Sequence, residues 1–345
     1  MKIEDIARIA NVSKSAVSLA LNGKPGVSEA TRSHILKVVE EYNYKPLRST
    51  RKKSQVDKKI IRFVACKNSE IITEHYQNLP FFSELMSYVS EGAKSSAYSL
   101  LISSIDAEHI TEELKQLEAE HPSAGILLLG TNLTSEQIKL VKEIQPQLVV
   151  VDTWVNNLPV NAVSINNYLG GYQAAKYLLE NGHRQIGYGE GVPRIENFEL
   201  RKKGFFDTLR EAGVSIEEHN VFRLPAMEIN EQEAVLQALK NHDQLPTAIF
   251  CENDYMAISM IKTLHSLNIR VPEDISIIGF DNILESNIIL PELTTIHVKK
   301  DMLTKQALKL LMDNIESGNT NDTIQVQVDT GLIVRNSVKK INFKQ

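Results

Sequence analysis

Cysteine is almost absent from this chain. Its 345 residues hold two, Cys66 and Cys251, each inside an apolar run and neither in a CxxC pair. That excludes a disulfide framework and a thiolate metal site, and both thiols read as small buried hydrophobes of a reducing compartment. The nine histidines are scattered, so no zinc site is expected. No apolar run approaches the roughly 20 residues that a membrane-spanning helix needs. The opening Met1-Lys2-Ile3-Glu4-Asp5 is polar at once, which predicts a cytoplasmic chain without a secretory leader. Catalytic signatures are missing too: there is no GxSxG, no Walker loop and no HExxH. Gly187-Tyr188-Gly189-Glu190-Gly191 hints at the loop of an NAD-dependent oxidoreductase, but Val192 stands where GxGxxG needs glycine. Pro193 then obstructs a helix start, so neither a cofactor nor an enzyme is expected.

What the chain does have starts at its amino terminus. Ile3, Ile6, Ala7 and Ala10 recur at i, i+3, i+4, i+7, the apolar stripe of a short helix. Val17, Ala20 and Leu21 form a second stripe, and Ser13 stands at its N-cap position. Two such short helices joined by a few residues must cross steeply, as in a helix-turn-helix. Lys14, Ser15, Ser18 and Leu19 then occupy the outer face of the second helix, where a recognition helix meets base edges. Ser28-Glu29-Ala30-Thr31 opens a third helix with Ile35, Leu36, Val38, Val39 and Tyr42 on its apolar face, and Pro46 forbids its continuation. Charge agrees with this division. Residues 1–59 carry 13 Lys/Arg against 6 Asp/Glu, net +7, while the remainder carries 25 against 37, net −12. A basic head on an acidic body suits binding to phosphate.

Asp5 to Pro46 carry the pattern D-I-A-x-x-A-x-V-S-x-x-x-V-S-x-x-L-N-G, then V-S-x-x-T-R, then Y-x-P. This resembles the amino-terminal signature of the lac repressor/galactose repressor family nearly position for position. The resemblance implies a DNA-binding head over 1–46, a basic hinge over 47–59 and a two-lobed effector-binding and dimerisation domain over 60–345. In that family the hinge folds on the operator, enters the minor groove and wedges a leucine between central base pairs. Here Arg51 stands where the family usually has arginine, but Lys53 replaces the wedge leucine. Lysine follows a narrow groove electrostatically yet is a poor apolar wedge. Either the central kink is weaker, or Leu47 or Val56 substitutes.

From Ile60 apolar strand-like runs alternate with amphipathic helices. Strands are predicted at Ile60–Cys66, Tyr98–Ile105, Gly125–Leu129, Leu148–Val151, Gln185–Tyr188, Val221–Leu224, Thr247–Phe250 and Ile275–Gly279, with one more near Ile324–Val334. Helices are expected between them, with a last one over Met302–Ile315. Such alternation means parallel sheets covered on both faces, here two doubly wound lobes whose ligand lies beyond the carboxyl ends of the strands. The landmarks Pro80-Phe81-Phe82, Gly182-His183-Arg184, Arg201-Lys202-Lys203-Gly204-Phe205, Asn253-Asp254, Ile278-Gly279-Phe280-Asp281 and Leu293-Thr294-Thr295-Ile296 extend the resemblance along nearly the whole chain. The α/β body looks like a periplasmic sugar-binding protein.

Asp152 and Asp281 each follow an apolar strand and precede a polar loop, where a carboxylate can accept two sugar hydroxyls. Arg201 offers a planar donor fork, Asn253 both donor and acceptor, and Phe81, Phe82 and Trp154 flat faces for a pyranose. The resemblance assigns effector contact to Phe81, Phe82, Asp152, Arg201, Asn253 and Asp281, while Ile165 stands where several relatives carry a polar or aromatic contact. On the head, many relatives carry arginine at the position of Leu19, which can offer only apolar contact, most naturally to a thymine methyl. Lys14 and Ser15 are expected to read bases, with Ser13, Asn22 and Ser28 on phosphate. The chain therefore reads as a homodimeric repressor of carbohydrate-use genes. It would bind a palindromic double-stranded operator and be switched by a small sugar, with a nucleobase or other metabolite as the alternative effector. Residues 339–345 hold no leucine heptad, which favours a dimer over a tetramer.

Overall fold

The computed structural model describes residues 3–21, 26–42, 60–68, 71–240, 244–318, 320 and 322–341. The chain divides into two compact units, Met1–Lys58 and Lys59–Gln345. In the first, helices α1 (Ile3–Ile9), α2 (Lys14–Leu21) and α3 (Glu29–Glu41) bury Ile6, Ala7, Ala10, Val17, Ala20, Ile35 and Val38 in a common core. These are largely the stripe positions of the sequence pattern, so the head is held by one small apolar cluster. Residues 47–59, and with them the expected hinge, lie outside the described residues.

The second unit carries two six-stranded sheets. The first holds β1 (Ile60–Lys67), β2 (Ser99–Asp106), β3 (Gly125–Leu129), β4 (Leu148–Val151), β5 (Asn161–Ile165) and β11 (Gln325–Val328), in the order β11-β5-β4-β3-β1-β2. Its register sets Phe63 of β1 beside Ile102 of β2 and Leu127 of β3. The second sheet holds β6 (Ile186–Val192), β7 (Val221–Pro225), β8 (Ala248–Cys251), β9 (Ser276–Asp281), β10 (Thr294–His297) and β12 (Gly331–Ile333), in the order β12-β10-β9-β8-β6-β7. Apart from the antiparallel β10–β12 pair, both sheets are parallel. Leaving out β11 and β12, each lobe repeats one doubly wound order, which opens a crevice at the carboxyl ends of its strands.

Helices cover both faces of the sheets. They are α4 (Pro80–Ser95), α5 (Ile110–Glu120), α6 (Ser135–Ile144), α7 (Asn167–Glu180), α8 (Glu196–Glu211), α9 (Glu233–Lys240), α10 (Asp254–Ser266) and α11 (Lys300–Ser317), of which α4, α8 and α10 line the cleft. The chain passes between lobes after β5, after β10 and between β11 and β12. The single strand expected over Ile324–Val334 is therefore two short ones in different sheets, because Asp329 and Thr330 carry the chain across. Strands β5 and β10 were not anticipated. Asn161 and Ser164 interrupt the apolar run of β5, yet both are buried.

Two glycines bring α7 and α8 together. A Cβ on Gly171 would lie 2.1 Å from the Arg201 carbonyl oxygen, and one on Gly204 would lie 2.0 Å from that of Tyr168. Only hydrogen permits that approach.

Candidate functional site

In the head, Ser13 Oγ accepts from the Ala16 amide at 3.1 Å, and Ser28 Oγ accepts from the Thr31 amide at 3.2 Å. Both serines thus begin their helices as the sequence implied. No acidic residue stands in the first turn of α2, so the positive end of its dipole is uncompensated there. Lys14 and Ser15 are exposed, while Ser18 and Leu19 are half-buried. Lys14 Nζ lies 2.5 Å from Glu4 Oε1, in an exposed pair weak enough to be exchanged for a base or phosphate. Asn22, Arg51 and Lys53 lie outside the described residues.

In the body, the carboxyl ends of the strands converge on one cleft. Its lining includes Phe81, Phe82, Asp152, Arg201, Asn253 and Asp281, which the sequence singled out, and the enclosed volume is about 30 Å3. Thr131, Ile195, Asn197, Phe198, Met227 and Tyr255 complete it. Asp152 directly follows β4 and Asp281 ends β9, with φ of 72° and 110°. Left-handed backbone at non-glycine residues is strained, and such strain gathers at functional sites. Phe81 and Phe82 meet edge to face at 5.3 Å, and the Phe81 amide donates to the Tyr255 hydroxyl at 3.1 Å. A wider groove of about 630 Å3 runs past Lys262, His265, Arg270 and Leu290, but no buried carboxylate lines it.

The two carboxylates differ in how they are held. Thr131 Oγ1 donates to Asp152 Oδ2 at 2.6 Å, and Asn197 Nδ2 donates to the Asp152 carbonyl oxygen at 2.8 Å. Arg201 Nη2 lies 3.3 Å from Asp281 Oδ1. Asp152 Oδ1 has no hydrogen-bond partner, and the Asp281 Oδ1 pair is not aligned as a hydrogen bond. Burial pushes Asp152 up to about 7, against the Thr131 hydrogen bond and the Arg201 charge; the Asp281 charge adds to the rise. Burial raises Asp281 as well, while Arg201 and the Lys300 ammonium oppose it. Behind them Asp254, pushed up to about 8 by burial and by Asp281, accepts from Thr295 Oγ1 at 2.6 Å and from the Ile283 amide at 3.0 Å. A Cβ on Gly279 would lie 2.2 Å from Asp254 Oδ1, which explains the glycine of the Ile278–Asp281 landmark.

Some expected roles change with the geometry. The fork of Arg201 is not free: Nε donates to Asn167 Oδ1 at 2.9 Å, Nη1 to the Glu252 carbonyl at 2.6 Å, and its plane stacks 3.7 Å over Phe280. Asn253 accepts from Met256 N at 2.9 Å to cap α10 and donates to the Ala226 carbonyl at 2.7 Å, so its oxygen and one N–H are engaged by protein. Trp154 is not part of the lining; its indole N–H donates to Asn156 Oδ1 at 2.9 Å. Adjacency to Asp152 in sequence did not give it the same direction. Ile165 is buried within β5. Sequence reasoning missed Asn197, which stands in the first turn of α8. It missed Thr131 although that residue follows β3 just as Asp152 follows β4.

A basic three-helix head and a two-lobed body with a buried polar cleft define a ligand-responsive DNA-binding protein. Residues 2–46 match the model of bacterial regulatory proteins of the lacI family, and residues 175–338 the periplasmic binding protein-like domain. The HTH-type transcriptional repressor PurR of Photobacterium profundum is 30% identical over 342 residues, covering 99% of both chains. A transcriptional regulator CelR-cellobiose complex shares the fold with TM-score 0.69 and 23% identity, over 98% of this chain and 99% of its own. A LacI-family regulator from Enterococcus faecium with bound ribose does so with TM-score 0.67 and 24% identity, over 82% of this chain and 100% of its own. The chain belongs to the lacI family of DNA-binding transcriptional repressors.

Proposed function

We propose that this repressor releases or engages a palindromic operator when a small sugar enters the cleft of its body, and that it works as a homodimer on carbohydrate-use genes. One observation carries the choice of ligand: Asp152 Oδ1 is buried and accepts no hydrogen bond, and Asp281 Oδ1, in the opposite lobe, is met only by the unaligned Arg201 Nη2 at 3.3 Å. Unpaired buried acceptors are costly, so they await donors. Part of the donor capacity around them is committed: Arg201 Nε and Nη1, and one N–H each of Asn197 and Asn253, donate to protein oxygens. Carboxylate oxygens still open to a donor suit the hydroxyls of a sugar, each of which can donate.

The second reading is a nucleobase. Phe81 and Phe82 suit a planar ring bearing N–H groups, and relatives from Photobacterium profundum, Pasteurella multocida and Haemophilus influenzae, 30–31% identical over nearly their full length, are all repressors named PurR. On the head, Lys14 and Ser15 would read bases and Leu19 a thymine methyl. Ser13 and Ser28, at helix starts, would set the register on phosphate, as would Asn22. Arg51 and Lys53 would follow the minor groove.

The test is a thermal-shift and calorimetric screen of D-ribose, D-glucose, cellobiose and hypoxanthine against wild type and Asp281→Asn. A sugar should stabilise the wild type, and the variant should lose that response while keeping operator affinity within a few-fold. Breaking a buried charged hydrogen bond costs on the order of 2–5 kcal/mol, enough to erase micromolar binding. Response to hypoxanthine alone would replace the sugar by the nucleobase. An unchanged affinity in Asp281→Asn would remove the site.

A further inference from the structure

Lys300 is buried at the point where the chain enters α11, and nothing in the effector reading so far uses it. Its ammonium lies 3.0 Å from Glu84 Oε2 on α4, 3.2 Å from the carbonyl oxygen of Asp281, and 5.4 Å from the ring centre of Phe81. Glu84 follows Phe81 by one helical turn and is half exposed, so one buried charge joins both gripping residues to a helix that reaches the surface. A buried ammonium is expensive, and an apolar side chain would serve packing alone better. Lys300 stands where the chain leaves the second sheet, its backbone tied through Val298 to the Asp281 carbonyl, so it is the pair with Glu84 on α4, a helix packed on the first sheet, that spans the lobes.

We propose that Lys300 is a positioning residue that transmits occupancy of the cleft to α4, holding Asp281 and Phe81 in place through its ion pair with Glu84. This rests on the cleft being the effector site. Asp281 is faced by Arg201 and Lys300, which favour its ionised form, with the carboxylates of Asp152 and Asp254 close by.

The experiment uses the full-length protein with Lys300→Met, Lys300→Arg, Glu84→Gln and the double variant Lys300→Met/Glu84→Gln. Without ligand, hydrogen exchange over residues 79–86 and 278–284 should rise about tenfold in Lys300→Met, because two segments lose their shared tie. The double variant should go no further, and Lys300→Arg should stay near wild type. Unchanged exchange in either segment, or additive effects in the double variant, overturns the proposal.

With whichever of D-ribose, D-glucose, cellobiose or hypoxanthine shifts the wild type, affinity is then followed against pH. Lys300→Met should move the acid limb of binding to higher pH, since the charge favouring ionised Asp281 is gone, and Lys300→Arg should restore it. A loss of packing alone would leave that limb where it is in the wild type, and such a result also overturns the proposal. If none of the four compounds shifts the wild type, the effector reading fails, and the exchange measurement still decides the role of Lys300.

Discussion

Asp152 is the residue whose chemistry and position are most at odds. It is buried, lacks a partner on Oδ1, and is held up to about 7, well above the ordinary carboxylate range, chiefly by burial. In the unfolded chain it ionises near 4. Between those values the native state binds the extra proton, so this group favours folding below about pH 4, and the favour is lost as pH rises through 7. Asp152→Asn keeps the shape and removes the charge. It should raise the melting temperature at pH 8 by about 2–4 °C, flatten the fall in stability between pH 5 and 7, and weaken effector binding. Differential scanning calorimetry at pH 5, 6.5 and 8 measures the first two effects. A variant less stable than wild type at pH 8 would mean that the site favours the ionised form of Asp152 rather than disfavouring it. At this scale the sequence announced the two aspartates, because each follows an apolar run. It could not announce what Arg201 and Asn253 bond to, since Asn167, Glu252 and Ala226 are brought to them only by the fold.

Helices were legible as elements because their stripes are long and regular, whereas short strands bearing polar residues were not. In β10, Thr294 and Thr295 are buried because their hydroxyls serve the interior, Thr295 on Asp254 and Thr294 on the Arg335 amide. No hydropathy pattern shows that. The packing of α7 on α8 was hidden in the same way, since a glycine does not say which backbone it admits. Gly204→Ala would force α8 away from the Tyr168 carbonyl and shift Arg201, on the same helix, from Asn167. It should abolish the calorimetric response to effector; an affinity within twofold of wild type would refute the close contact. In the head, Lys14→Ala should relax base preference in each half-site, at roughly 1–3 kcal/mol on the best operator. Ser28→Ala removes the cap on α3, and should lower head stability by about 1 kcal/mol and weaken all sequences alike. Selection from randomised duplexes at fixed salt separates the two outcomes. Identical selected sequences for Lys14→Ala and wild type would overturn the assignment.

For the whole molecule, the size of the cleft decides how a ligand can arrive. About 30 Å3 is enclosed between the lobes. That is room for a water or two and too little for a pyranose. Side-chain motion alone would have to break several contacts at once, because Asn197 bonds to Asp152, Arg201 bonds to Asn167 and pairs with Asp281, and Phe81 bonds to Tyr255 across or beside the gap. Only three passages of chain join the lobes, so the low-energy route is for one lobe to swing from the other about those passages. Binding then needs a population in which the lobes have parted, and the apparent affinity is lowered by the fraction that is open. Trp154, the sole tryptophan, lies two residues past Asp152 at the end of the first lobe's β4 and reports on that edge of the cleft. Stopped-flow mixing with effector should therefore give a rate that levels off with concentration at the opening rate of the free protein. Asn197→Ala, which removes the bond from α8 to Asp152, should raise the plateau. A rate that climbs linearly to the highest effector concentration would show that opening does not limit entry.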